Sequence, residues 1–214
     1  RGGRSMSGGH EVDAGSPEKR KTLWVVLWLN VAIAIGFFAV GYFADSNALL
    51  ANGLDNSSDA IVYALSLLAL TRSRTWKRGA ARFSGIMLLV FSAGVIFDAY
   101  RRFVEGSDPG GMLMMAMAFV AGLVNLYCLR LLQKVENKDV NMRAATTFSF
   151  NDFISNGGII IAGIVVLITG ANWPDLVVGI AVACIALYGG VQILRDTHMD
   201  VHDEAGTVHG EKRN

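Results

Sequence analysis

The sequence predicts an all-α membrane protein of six transmembrane helices with both termini in the cytoplasm. Three observations carry this. Charged residues make up only 17% of the chain and hydrophobic ones 52%, whereas a soluble domain carries nearer ~25% charge. The apolar residues gather in blocks of about twenty, the length at which a helix crosses the hydrocarbon layer. Lys and Arg concentrate in alternate connections, the bias that sets orientation in a bilayer.

Taken in order, the expected spans are Leu23–Phe43, Ala48–Leu70, Phe83–Phe103, Met112–Leu132, Phe148–Ile168 and Trp173–Leu194. The first is too long for a signal peptide, and no small-residue cleavage site follows it. Pro17, Pro109 and Pro174 fall outside the spans or at their edges, so the helices are expected to be continuous. Trp24, Trp28 and Trp173 stand at span ends, where indoles anchor at the membrane interface. "PEKRK" precedes span one, "RSRTWKR" joins spans two and three, and Lys134, Lys138 and Arg143 lie between spans four and five. Connections 1–2 and 5–6 hold no Lys or Arg, so they are expected outside. Arg101 and Arg102 break the pattern at the outer end of span three. Asp98, one turn earlier, is the expected ion-pair partner.

The chain divides into a cytoplasmic segment over 1–21, a six-helix domain over 22–196 and a short polar tail over 197–214. "RGGRS" at 1–5 reads as an expression scar. The tail is too short and polar to bury a core, and an unstructured state is expected there. A net charge of +1 gives no reason to expect nucleic acid as a partner. Cys128 and Cys184 lie inside apolar blocks and read as packing thiols.

The informative residues are the polar ones inside the spans. "ANGLDNSSDA" opens the second span, and a helix turn of about 100° per residue puts Asn52, Asp55, Asn56 and Asp59 on one stripe. "SFNDFISNGG" in the fifth span places Asp152 and Asn156 on a shared face, with Ser155 beside them. Lipid satisfies neither stripe, so each is expected to face the bundle interior and the other stripe. Gly157 and Gly158, with Ala60 and Ala64, are expected to let the two helices approach closely. Three carboxylates in a low dielectric must be protonated or neutralised by a cation. No Lys or Arg occupies the inner half of any span. A divalent metal ion is the partner this pattern suggests. A hydrogen-bonded clamp between helices is the alternative, and three Asp on two helices weigh against it.

These two segments resemble the second and fifth spans of the cation diffusion facilitators. The family's second span carries D-x-x-x-D or H-x-x-x-D, and Asp55 and Asp59 match it. The fifth carries H-x-x-x-D, whose Asp matches Asp152 and whose His falls on Phe148. The resemblance implies a homodimer that exports Zn²⁺, or a similar divalent ion, in exchange for protons, and it implies no enzyme activity and no resident cofactor. With a Phe in place of the His, Asn156 is the expected fourth ligand and Asn52 the second choice. "NDxxxN" is similar to a branch of the family without that His. The short tail is similar to that of members without the cytoplasmic metal-binding domain. The 2–3 connection has no His or Asp for the auxiliary site some members carry there. In the tail, His198, Asp200 and His202 are further candidate metal ligands, with His198 and His202 one helical turn apart.

The expected function is therefore efflux of Zn²⁺, with Cd²⁺ tolerated, by alternating access in a bacterial inner membrane. Transport of harder ions (Mn²⁺, Fe²⁺, Co²⁺, Mg²⁺) and a cation channel are the alternatives.

Overall fold

The computed structural model describes residues 17–68, 74–134 and 140–210, with side chains described for 17–65, 67, 76, 79–134, 146 and 149–195. The described residues form six α-helices: α1 Pro17–Phe43, α2 Asn47–Leu68, α3 Arg74–Glu105, α4 Gly111–Lys134, α5 Val140–Thr169 and α6 Trp173–Gly210. They run alternately up and down. α1 packs chiefly on α2, α4 on α5, and α3 on α6, while α2 also lies along α6 and meets α5 only briefly.

Five helices carry a segment long and apolar enough to cross a membrane: Pro17–Phe43, Gly79–Glu105, Gly111–Lys134, Ser149–Thr169 and Trp173–Arg195. α2 is the exception to the six apolar spans expected. It has 22 residues, which is sufficient length, but Asn52, Asp55, Asn56 and Asp59 make it too polar to qualify. Burial explains how it is nonetheless accommodated: its first ten residues, 47–56, are buried or half-buried throughout.

The buried positions of α1 (Leu23, Val26, Leu27, Asn30, Ile33, Ala34, Phe37 and Gly41) recur every three or four residues, a single helix face turned inward. α4 does the same from Gly111 to Leu132. Two apolar clusters result. One joins Ile33, Phe37, Leu49, Met114, Ala118, Ala121 and Ile159. The other joins Val26, Leu27, Tyr63, Leu67, Cys128 and Leu132 nearer the chain termini. Helix crossings are closest at small residues. A Cβ on Gly111 would meet the Gly163 carbonyl oxygen at 2.5 Å, so α4 and α5 touch backbone to backbone there. Gly157 and Gly158, expected to serve this purpose, have nothing near the place a Cβ would occupy. They are not the contact points: Gly157 borders a hollow between α4 and α5, and Gly158 one between α5 and α6.

The end of the bundle away from the termini is closed by polar contacts. Asp98 accepts from Arg101 at 2.7 Å and from Arg102 Nε at 2.5 Å, the pairing expected from the sequence. Arg102, itself buried, also pairs with Asp45 in the 1–2 connection. Asp45 adopts φ 49°, a left-handed conformation that Asp tolerates better than most residues. Its carboxylate also receives the Asp108 N–H of the 3–4 connection at 3.1 Å. Asn172, before α6, donates to Ser107 at 3.2 Å. All three connections at this end are thus tied together. Those at the opposite end, 69–73 and 135–139, lie outside the described residues, and with them the expectation about the 2–3 connection.

α6 continues as helix to Gly210, where an unstructured tail was expected after 196. His198, Asp200 and His202 lie on this continuation, and their side chains are outside the described set.

Candidate metal site

The site is built on α2, and α2 is held from its far end. Ser46 caps it, its Oγ accepting the Leu49 N–H at 3.1 Å. The carboxylate of Asp175, in the first turn of α6, takes the next donors: Asn47 N–H at 2.7 Å, Ala48 N–H at 3.1 Å and the Ser46 hydroxyl at 2.5 Å. An anion at a helix N-terminus satisfies orphan donors and meets the positive end of the dipole. Asn47 Nδ2 then donates to the Val95 carbonyl and to Asp98, fixing α2 to α3. Gly179 lets α6 lie against this turn, since a Cβ there would collide with Asn47.

Two turns further on, the two stripes meet. The carboxyls of Asp55 and Asp152 lie within hydrogen-bonding reach of each other, with Asp59 beside both. Asp59 and Asp152 are buried, and Asp55 is half-buried. A cavity of about 280 Å³ opens from these three, lined further by Ser58, Asn151 and Gln192. It runs toward the end that carries the termini, since its walls continue through Val62 of α2 and Ile193 of α6. Asp59 Oδ2, Asp152 Oδ2 and Asn56 Oδ1 are buried with no hydrogen-bond partner. All three are acceptors, so they cannot satisfy one another. A donor or a cation must.

The amides proposed as further ligands have a different setting. Asn52 Nδ2 donates to Asn156 Oδ1 at 3.1 Å, and Ser155 Oγ donates to Asn52 Oδ1 at 2.9 Å. Asn156 Nδ2 donates to the Asp152 carbonyl at 2.8 Å. Asn52 and Asn156 therefore clasp α2 to α5 one turn beyond the carboxylates, with their oxygens already engaged. Asn56, whose Nδ2 is tied to the Asn52 carbonyl, keeps its oxygen free of any partner. It belonged to the sequence stripe, but nothing in the stripe distinguished it from Asn52. Phe148 lies on α5 one turn before Asp152, and its side chain is outside the described set.

Among the described residues no three or more His, Cys, Asp and Glu groups are drawn together tightly enough to hold a metal ion. The three Asp residues, two on α2 and one on α5, line an open cavity rather than closing a cage.

Residues 23–199 match the cation efflux transmembrane domain. The chain is 29% identical to the zinc transporter ZitB of Escherichia coli, over 77% of this chain and 58% of that protein. It is 24% identical to the cadmium, cobalt and zinc/H(+)-K(+) antiporter of Bacillus subtilis, over 94% of this chain and 72% of the relative. It is 23% identical to the metal cation efflux system protein CzcD of Cupriavidus metallidurans, over 83% and 60%. The chain thus spans a little under three fifths of the E. coli relative's length. It belongs to the cation efflux family, the cation diffusion facilitators. It is an integral membrane protein, and its bacterial relatives point to the inner membrane.

Proposed function

We propose that this member of the cation efflux family carries divalent metal ions across the membrane in exchange for protons, with Zn²⁺ as the first substrate and Cd²⁺ tolerated. The observation that carries the reading is the pair of buried, partnerless carboxylate oxygens, Asp59 Oδ2 and Asp152 Oδ2, on facing helices at the head of a cavity. A carboxylate in such a place can hold a proton or a metal ion but not remain bare. Asp55 completes the set, and Asn156 and Asn52 serve it by fixing the distance between α2 and α5.

The cycle follows from this. A cation enters through the cavity from the end that carries the termini, taken here as cytoplasmic on the Lys and Arg bias of the connections. It displaces protons from the Asp cluster, since only the ionised carboxylates bind it. The polar contacts at the far end then open, the cation leaves, and protons return the carrier. The closed far end favours a carrier over a channel, because a channel needs one continuous path. Homodimerisation is part of the reading, as is capture of cations at the mouth by His198, Asp200 and His202.

A second reading, transport of harder ions such as Mn²⁺, Fe²⁺, Co²⁺ or Mg²⁺, has one observation in its favour. Every donor found at the site is oxygen, and oxygen sets suit harder ions than imidazole does. Uptake into proteoliposomes under an imposed pH gradient, in competition among Zn²⁺, Cd²⁺, Co²⁺, Mn²⁺ and Fe²⁺, tests both. Uphill metal movement driven by the pH gradient alone, with protons moving the opposite way, is expected. Flux indifferent to the gradient and to a protonophore excludes exchange.

A further inference from the structure

We propose that Asn30, Asn56 and Asn125 form a hydrated annex to the carboxylate site, holding water that stays on the bound cation. The proposal rests on the reading of the Asp cluster as a cation site and extends it to α1 and α4. It starts from position. Asn30 stands between Leu27 and Ile33 on α1, and Asn125 between Ala121 and Cys128 on α4. Asn56 and Asp59 stand between Leu49 and Tyr63 on α2, and Asp152 precedes Ile159 on α5. The flanking residues belong to the two apolar clusters, one above and one below. Four helices therefore contribute to one polar layer sandwiched between two apolar ones.

The hydrogen-bond inventory of this layer is unbalanced. Asn30 and Asn125 are buried at 1% and 0% exposure, and Asn56 at 0%. Asn30 Oδ1, Asn56 Oδ1 and both polar atoms of Asn125 have no protein partner. Together with Asp59 Oδ2 and Asp152 Oδ2 the layer holds five orphan acceptor oxygens against one orphan amide nitrogen, Asn125 Nδ2, and one orphan hydroxyl, Ser149 Oγ, at its edge. Acceptors cannot pair with acceptors, so the missing partner is a donor or a cation. Water bound to a divalent ion is both, because the ion polarises its O–H groups. Asn125, with a free donor and a free acceptor, matches a water molecule, which has both. Asn30 and Asn125 are the lone buried amides of their spans, and a solitary Asn in an apolar block is what marks them in the sequence.

Zn²⁺ titration of the purified protein in detergent, with melting temperature read in parallel, tests the annex on Asn125→Leu and Asn30→Leu, beside Asp152→Ala. Leu fills the volume and removes the orphan polar atoms. The metal-free variants are therefore expected to melt at or above the wild-type temperature while their Zn²⁺ Kd rises about tenfold, the effect of losing one hydrogen bond to a charged group. Wild-type Zn²⁺ affinity in both Leu variants, with binding lost in Asp152→Ala, overturns the annex and leaves the carboxylate site standing. Variants that fail to fold, or that melt lower without metal, identify structural amides and also overturn it. Zn²⁺ binding by Asp152→Ala equal to wild type removes the carboxylate reading itself, and the annex with it.

Discussion

Asp59 and Asp152 each leave one buried acceptor oxygen that no protein donor meets, and Asp55 lies within hydrogen-bonding reach of Asp152 beside them. Replacing any of the three with Ala removes charge that the proposed cation site needs. Each variant is expected to insert normally yet lose transport, measured as metal uptake in vesicles; wild-type uptake by one of them would withdraw that residue. Asn156→Ala is a milder case, because its oxygen is held by Asn52 rather than offered to the cavity. Loss of a supporting contact of this kind is expected to weaken metal affinity about ten- to a hundredfold without abolishing it. Phe148→His adds an imidazole one turn before Asp152, and a raised Zn²⁺/Mn²⁺ uptake ratio is the expected outcome. An unchanged ratio would show that position 148 does not face the site.

At the scale of the helix, α2 carries two of the three proposed ligands and is the element least able to sit in lipid. Its far end is secured by Asp175, whose removal in Asp175→Ala leaves the Asn47 and Ala48 N–H groups buried without an acceptor. A loss of about 2–4 kcal/mol is expected in detergent unfolding, and a melting curve superimposable on wild type would refute it. What was legible in the sequence here was local. The Asp98–Arg102 pair is one turn apart, and helical spacing alone indicated it. The paired stripes on α2 and α5 also follow from periodicity and from the cost of polar groups in lipid. Asp175 was not legible, since its partners lie 127 to 129 residues away and nothing about an Asp after a Pro marks it as another helix's cap. Gly157 and Gly158 misled for a related reason. Small residues permit close approach but do not require it, and here α2 meets α5 through Asn52, Ser155 and Asn156 while nothing lies near either glycine.

Across the whole molecule, one end is laced by three connections and the other holds the cavity mouth; in the proposed exchange a cation and a proton compete for the same carboxylates from one side at a time. Apparent metal affinity is expected to fall as the medium is acidified, since protons occupy the oxygens the metal needs; isothermal titration at a series of pH values checks this, and a flat profile counts against exchange. Deleting the chain after Asp196 is expected to raise the Zn²⁺ concentration for half-maximal uptake without abolishing it, and unchanged kinetics would leave His198, Asp200 and His202 no part in capture. The polarity of α2 also bears on how the chain reaches the bilayer at all. Each Asp near a helix centre adds roughly 2.5–3.5 kcal/mol to the cost of insertion from the translocon, so α2 is a poor candidate to enter alone. Only Ala44, Asp45 and Ser46 separate it from α1, which is apolar enough to insert without help. The two are therefore expected to partition as a hairpin during biogenesis, α1 carrying α2. In a glycosylation-reporter assay α2 by itself should fail to integrate, α1 and α2 together should succeed, and changing Asp55 and Asp59 to Leu should free α2 from that dependence.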